Sequence, residues 1–207
     1  MLAAEFLTAA ALLRAVLGRH AGIAPADVRV DRRCPDCSGH HGRPRPLDSP
    51  ELGVSVAHAG GRVAVAVAHG MRAGVDVERS GRVTDADSLS AAVCSPGEAE
   101  YVRAQHPALR PRVLVDLWTR KEAVLKLLGT GLRVPPRLLE VAAPGRPPAL
   151  HPPADTDVRL PAALTLRPLT ACGPGFTATL ATSKAPAALR EQPAEALLAS
   201  LRSGGSA

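Results

Sequence analysis

Aromatic residues supply only 2 % of this 207-residue chain: one tryptophan, one tyrosine and two phenylalanines. A core must therefore be assembled mainly from Ala, Val and Leu, and almost nothing is available to stack on nucleic-acid bases. Lysine is nearly as scarce, with three among the 25 basic residues. The four cysteines are one CxxC pair (Cys34, Cys37) and two scattered residues, Cys94 and Cys172. That is too few and too uneven for a disulfide framework, so a soluble, reducing, cytoplasmic setting is expected. The N-terminus lacks a positive n-region, and Glu5 and Arg14 interrupt its apolar stretch, which excludes a signal peptide. The longest uncharged stretch, residues 168–183, is rich in Gly, Pro and Thr and does not read as a membrane span. No GxxxxGK[ST], HExxH or GxSxG occurs, which argues against a Walker-loop nucleotide triphosphatase, a zinc protease and a serine hydrolase. A GxGxxA string at 173–178 contains a proline and leads into a strand pattern, so it is not a dinucleotide fingerprint. No internal repeat is visible.

What the chain does have is positive charge. The formal net charge is +6 and the sequence pI about 9.8, which favours an anionic partner. The arginines are dispersed rather than clustered, so a phosphorylated small molecule or an acidic protein surface fits better than nucleic acid. Residues 2–18 read as an amphipathic helix with Phe6, Ala10, Leu13 and Leu17 on one stripe and Gly18 as its stop. A short strand at 28–31 precedes a loop from 32 to 51. Two alternating runs, 52–58 and 62–69, flank Gly60-Gly61 and read as a hairpin. Ser95-Pro-Gly-Glu98 has the capping-box pattern with Pro at the first helical position. A longer helix is expected from Pro111 to Leu128, ending at Gly129. Strands at 158–166 and 176–182, then a peripheral helix and frayed tail, complete an α+β chain of two comparable halves.

Two stretches concentrate the chemistry. GVDVE, residues 74–78, reads as a strand whose alternation places Asp76 and Glu78 on one face. In WTRKEAVLK, residues 118–126, Trp118, Glu122 and Lys126 form one helical stripe, and the segment holds two of the three lysines, Lys121 and Lys126. Singly, a DxE is a pair of solvated charges, Glu122–Lys126 an ordinary i,i+4 pair and Trp118 a core residue. Jointly, three carboxylates and an ammonium at one strand–helix junction are what Mg²⁺ and a phosphate ester require.

These motifs, with CSPGEAEY at 94–101, SVAHAGGRVAVAV at 55–67 and HGRP at 41–44, resemble the signature of the Sfp-type 4′-phosphopantetheinyl transferases. The ordered resemblance runs from about residue 7 to 182. It implies a pseudo-twofold pair of similar α+β halves with the active site at their seam: residues 1–72 binding coenzyme A, 73–183 carrying the Mg²⁺ and catalytic motifs, and 184–207 a peripheral tail. It implies transfer of 4′-phosphopantetheine from coenzyme A to a serine of an apo acyl or peptidyl carrier protein, releasing 3′,5′-ADP, by a monomeric enzyme of the holo-acyl-carrier-protein synthase type. Asp76, Glu78 and Glu122 are then the Mg²⁺ ligands. Asp76, Glu122 and Lys126 are the catalytic residues, with Glu122 or a metal-bound water beside it taking the serine proton. Arg43, His58 and Lys121 are the coenzyme A contacts. The hairpin reads Ala57-His58-Ala59 where the family often has Ser-His-Ser. Family members carry several dozen residues ahead of the first helix, so either the start lies upstream or the N-terminal half is truncated. Both features motivate an alternative, a relative that binds coenzyme A or a carrier protein without turnover.

The loop Cys34-Pro-Asp-Cys37-Ser-Gly-His40-His41 contains half of a zinc motif. Unligated cysteines are the expectation there, with zinc on Cys34, Cys37 and His40 or His41 as the alternative. His69, His106 and His151 are expected at the surface.

Overall fold

In the computed structural model, which describes residues 2–34, 36–37, 39–81, 83, 85–141, 149–150, 158–195 and 197–199, the first apolar segment forms α1, Leu2–Ala21. Its buried stripe is Glu5, Ala9, Leu12, Leu13 and Leu17, the spacing of one helical face. The expected stripe through Phe6 is therefore turned by one position, and Phe6 is 50 % exposed. Glu5 occupies the inner face because its carboxylate has partners there. It accepts the Gly61 N–H at 2.6 Å and lies 3.2 Å from His58 Nδ1. The helix also runs past Gly18. That glycine is needed for close packing, since a Cβ there would meet the Ile23 carbonyl oxygen at 2.7 Å.

After α1, β1 (Val30–Asp31) pairs with β2 (Arg45–Pro46), shorter than the strand expected at 28–31. The hairpin is as expected: β3 (Leu52–Ala59) and β4 (Arg62–His69) pair antiparallel across Gly60 and Gly61. Both glycines have positive φ, +56° and +85°, as a two-residue hairpin turn with matching twist demands. α1 covers this hairpin, and Leu13, Leu17, Val28, Leu52 and Val54 form the core between them.

The second half centres on β5 (Ala73–Arg79), paired with β9 (Phe176–Thr182), which pairs in turn with the edge strand β8 (Thr165–Leu169). β8 starts later than expected because Pro161 and Leu164 close a turn ahead of it. Pro168, which lacks an N–H, is accommodated on this edge strand. Between the strands come α2 (Ala86–Val93), α3 (Pro96–Ala104) and α4 (Arg110–Leu128), then the short pair β6 (Leu139–Glu140) and β7 (Ala149–Leu150). The capping box forms: Ser95 Oγ accepts the Glu98 N–H, and the Glu98 carboxylate accepts the Ser95 N–H. α4 ends at Gly129, whose φ of +76° is the left-handed cap expected of that glycine.

β5 is covered on both faces. Val75 and Val77 join Ala57 and Ala178 on the side of the hairpin, and Ser55 Oγ accepts the Val75 N–H at 3.0 Å across that seam. The other face lies directly under α4. A Cβ on Gly74 would meet the Ala123 carbonyl oxygen at 1.9 Å and the Leu127 nitrogen at 2.5 Å, so only glycine lets helix and strand backbones come this close. Aliphatic side chains of α4, including Leu114, Leu117, Val124 and Leu127, fill the main core with Leu139 and Ala181. No aromatic side chain is among the fully buried ones, in keeping with the composition.

Residues 184–194 carry no helix, and Glu191 Oε2 accepts the N–H groups of Thr170 and Ala171 at 2.8 and 2.7 Å. Glu191 is thus tied to the end of the sheet, and among the described residues of this segment helix appears at 195 and 197–199. Among the described residues no helix is long and apolar enough to cross a membrane. His69 and His106 are exposed, while His151 lies outside the described residues.

Candidate active site

The Gly74 contact sets the register between β5 and α4, and it puts the two chemical motifs against each other. Lys126 Nζ donates to Asp76 Oδ1 at 2.6 Å. Trp118 Nε1 donates to Glu78 Oε1 at 3.1 Å, so the indole orients that carboxylate rather than filling the core. Glu122 lies between Trp118 and Lys126 on the same stripe, near enough for its charge to act on Asp76. The structure thus brings Asp76, Glu78, Trp118, Glu122 and Lys126 together.

The electrostatics of this group are unbalanced. Asp76 is 4 % exposed, and Oδ2 is buried with no hydrogen-bond partner. Its pKa is pushed up to about 7, chiefly by burial. Lys126 opposes that rise, and the neighbouring charges of Glu78 and Glu122 add to it. Burial also holds Glu122 above the usual carboxylate range, again against Lys126 and with Glu78. One ammonium does not satisfy three carboxylates, and an orphaned buried oxygen is costly. The donors are hard oxygens, so the residues fit a small divalent cation. They are not drawn within 4.8 Å of one another, however. Among the described residues the ligand atoms that meet that spacing are those of Cys34, Cys37 and His41.

Lys121 does not join the group. One residue from Glu122 is about 100° of helix rotation, and Lys121 points into the opposite face, fully buried. Its ammonium pairs with Glu98 and donates to the carbonyl oxygens of Val93, Pro136 and Leu139. It holds α4 to the segments around it and has no proton left for coenzyme A. That corrects the expectation that it contacts the coenzyme.

Beside Lys126 opens a cavity of about 580 Å³ between the 32–45 loop, β3 and the end of α4. Arg32, Arg33, Arg43, Arg45, Lys126 and Arg133 line it, against one carboxylate, Asp36. Burial, with the charges of Arg72 and Arg45, pulls Arg43 below the ordinary arginine value. Its Nη1 donates to the Leu127 carbonyl at 3.1 Å. Arg32 Nε and Thr130 Oγ1, both on residues lining this cavity, are buried without partners. A crowded set of cations with unused donors calls for an anion. His58 is not among the lining residues; its Nδ1 is engaged by Glu5. Sequence reasoning anticipated Arg43 but passed over Arg32, Arg45, Thr130 and Arg133, which no motif marks. It read Glu5 only as a break in an apolar run.

The comparisons with known proteins fall on the same motifs. The model of the 4′-phosphopantetheinyl transferase superfamily matches residues 72–160, a span that includes GVDVE and WTRKEAVLK. The 4′-phosphopantetheinyl transferase HetI of Nostoc sp. (strain PCC 7120) is 26 % identical over 133 residues, covering 62 % of this chain. The aligned part is 53 % of HetI, so the chain spans about half the length of that curated relative. The family resemblance read from the motifs is thereby borne out: over residues 72–160 this chain is similar to the 4′-phosphopantetheinyl transferase superfamily.

Proposed function

We propose that the chain transfers 4′-phosphopantetheine from coenzyme A to the serine hydroxyl of an apo acyl or peptidyl carrier protein, as a Mg²⁺-dependent, cytoplasmic monomer of the holo-acyl-carrier-protein synthase type. One observation carries the reading: a buried carboxylate with an unused oxygen, Asp76 Oδ2, sits behind Lys126 at the edge of a cavity lined by six cationic side chains. Coenzyme A combines what these two regions lack, a pyrophosphate for the carboxylate–cation group and a 3′-phosphate for the arginines.

Asp76, Glu78 and Glu122 would hold the Mg²⁺, which supplies charge neutralisation at the pyrophosphate oxygens. Lys126 both lines the cavity and donates to Asp76, so its ammonium is available to the charge that develops on the leaving phosphate. Arg43, Arg32 and Thr130 bind the 3′-phosphate end through donors that are crowded or unpartnered in the free chain. His58, held by Glu5 and outside the lining of the cavity, would contact the adenine end of the coenzyme. In the metal-free chain burial raises the Glu122 carboxyl above the usual carboxylate range, which favours proton uptake there. In the transfer the serine Oγ–phosphorus bond forms, the phosphoanhydride bond breaks and 3′,5′-ADP departs. The serine proton would pass to Glu122 or to a metal-bound water beside it. The two helix-on-sheet units, α1 on β3–β4 and α4 on β5–β9–β8, are read as pseudo-twofold halves over 1–72 and 73–183. On this reading the seam would include the Ser55–Val75 contact.

The test mixes purified chain, apo carrier protein, coenzyme A and Mg²⁺ and weighs the carrier by mass spectrometry. The expected result is a carrier heavier by one phosphopantetheine. Coenzyme A binding with no mass gain on any carrier would return the chain to a non-catalytic, coenzyme-binding role.

A further inference from the structure

The 32–45 loop has a second set of ligands that the transferase chemistry leaves unused. Cys34, Cys37 and His41 each direct one ligand atom to a common point, all within 4.8 Å of one another, and Cys37 Sγ lies 3.0 Å from His41 Nε2. Both thiols are free. The backbone folds back on itself around them: the Cys34 N–H donates to the Gly39 carbonyl at 2.8 Å, and the Gly42 N–H to that of Arg32 at 2.7 Å. Space is tight at both bends, and at Gly42 only glycine fits. A Cβ on Gly39 would come within 3.2 Å of the His41 ring and 3.4 Å of Cys37 Sγ, and one on Gly42 would meet the Arg33 carbonyl oxygen at 2.5 Å. Cys37 and His41 are exposed and Cys34 is half-buried, so apolar burial does not explain why these three side chains converge.

We propose that Cys34, Cys37 and His41 form a zinc site that fixes this loop as a wall of the cationic cavity. Two soft thiolates and an imidazole select Zn²⁺ over Mg²⁺. His40, the other histidine of the motif, is not in the cluster. Cys34 Sγ donates to Asp36 Oδ2 at 3.7 Å, while Asp36 Oδ1 is held by Arg133 at 2.9 Å and so ties the loop to the end of α4. Binding releases the two thiol protons, and two thiolates balance the charge of the ion. The site therefore orders Arg32, Arg33, Arg43 and Arg45 without adding to their mutual repulsion. It lies outside the matched span 72–160 and does not depend on the activity proposed above.

The full chain, purified under reducing conditions without chelator, is expected to carry one zinc per molecule by elemental mass spectrometry. Co²⁺ in its place is expected to give thiolate-to-cobalt charge-transfer absorption. Cys34→Ser and Cys37→Ser should lose both signals, His41→Ala should release zinc to a chromogenic chelator that the parent chain withstands, and His40→Ala should retain it. Because a variant can lose the loop for other reasons, the parent chain is also stripped of metal and reloaded. Amide exchange in segment 32–45 should speed up on stripping and recover on addition of Zn²⁺. A reduced chain that takes up neither Zn²⁺ nor Co²⁺, a Cys34–Cys37 disulfide in the freshly purified protein, or unchanged exchange on stripping overturns the proposal.

Discussion

Two buried carboxylate–lysine pairs sit on opposite faces of α4, and they could hardly be more different. In Glu98–Lys121 every valence is used. Glu98 Oε2 accepts the Ser95 N–H and the Lys121 ammonium, Oε1 accepts the Val141 N–H at 2.7 Å, and Lys121 donates to three further carbonyls. In Asp76–Lys126 one oxygen is engaged, the other is buried and unpartnered, and two more carboxylates press on the pair. A closed pair contributes specificity to the fold; an open one holds room for something charged that the polypeptide does not supply. The same helix therefore has a structural face and a chemical face one residue apart, at Lys121 and Glu122.

The largest effect should come from breaking the closed pair. Lys121→Met leaves Glu98 charged, buried and uncompensated, and should cost about 3–5 kcal/mol of stability in denaturant titrations. Lys126→Met, on the open side, should change stability far less and abolish transfer. Asp76→Ala should likewise lower Mg²⁺-dependent turnover by roughly 10²–10³-fold, the scale of losing one electrostatic contact to the transition state, with circular dichroism unchanged.

Acidity offers a subtler contrast. Asp76 has its native pKa raised to about 7 from the ordinary aspartate value of 3.8. The metal-free protein therefore binds this proton more tightly folded than unfolded. Its contribution to stability is present in full below pH ~4 and is lost as pH rises toward ~7. Thermal melts of the metal-free chain should fall across that window. Asp76→Asn should flatten the slope, and saturating Mg²⁺ should raise the melting temperature above pH 7. The smallest effect is expected for Trp118→Phe. Losing one hydrogen bond to Glu78 should cost about 1 kcal/mol or less in stability and weaken Mg²⁺ binding severalfold in a metal titration.

The chemical face was readable in the sequence because it is local. DxE on a strand and W-x₃-E-x₃-K on a helix each place their side chains by periodicity alone. The hairpin, the capping box and the Gly129 helix end were legible for the same reason, each being a short pattern with one backbone solution. Lys121 was misjudged because its role rests on partners 15 to 28 residues away in sequence (Pro136, Leu139, Val93), which no period reveals. The cavity escaped notice in the same way. Arg32 and Arg133 come from segments 101 positions apart and meet only through the packing of the 32–45 loop on the end of α4. Glu5 shows the converse error: a charge inside an apolar helix looked like an interruption and is instead the inner-face acceptor that holds the Gly60-Gly61 turn.

The account stands or falls on whether the unpartnered face of Asp76 takes a divalent cation. Titration of the purified chain with Mn²⁺, as a paramagnetic stand-in for Mg²⁺, in the presence of coenzyme A measures that directly. The expected result is one ion per chain, competed by Mg²⁺ and lost in Asp76→Asn while His40→Ala binds normally. Undiminished Mn²⁺ binding by Asp76→Asn would contradict it.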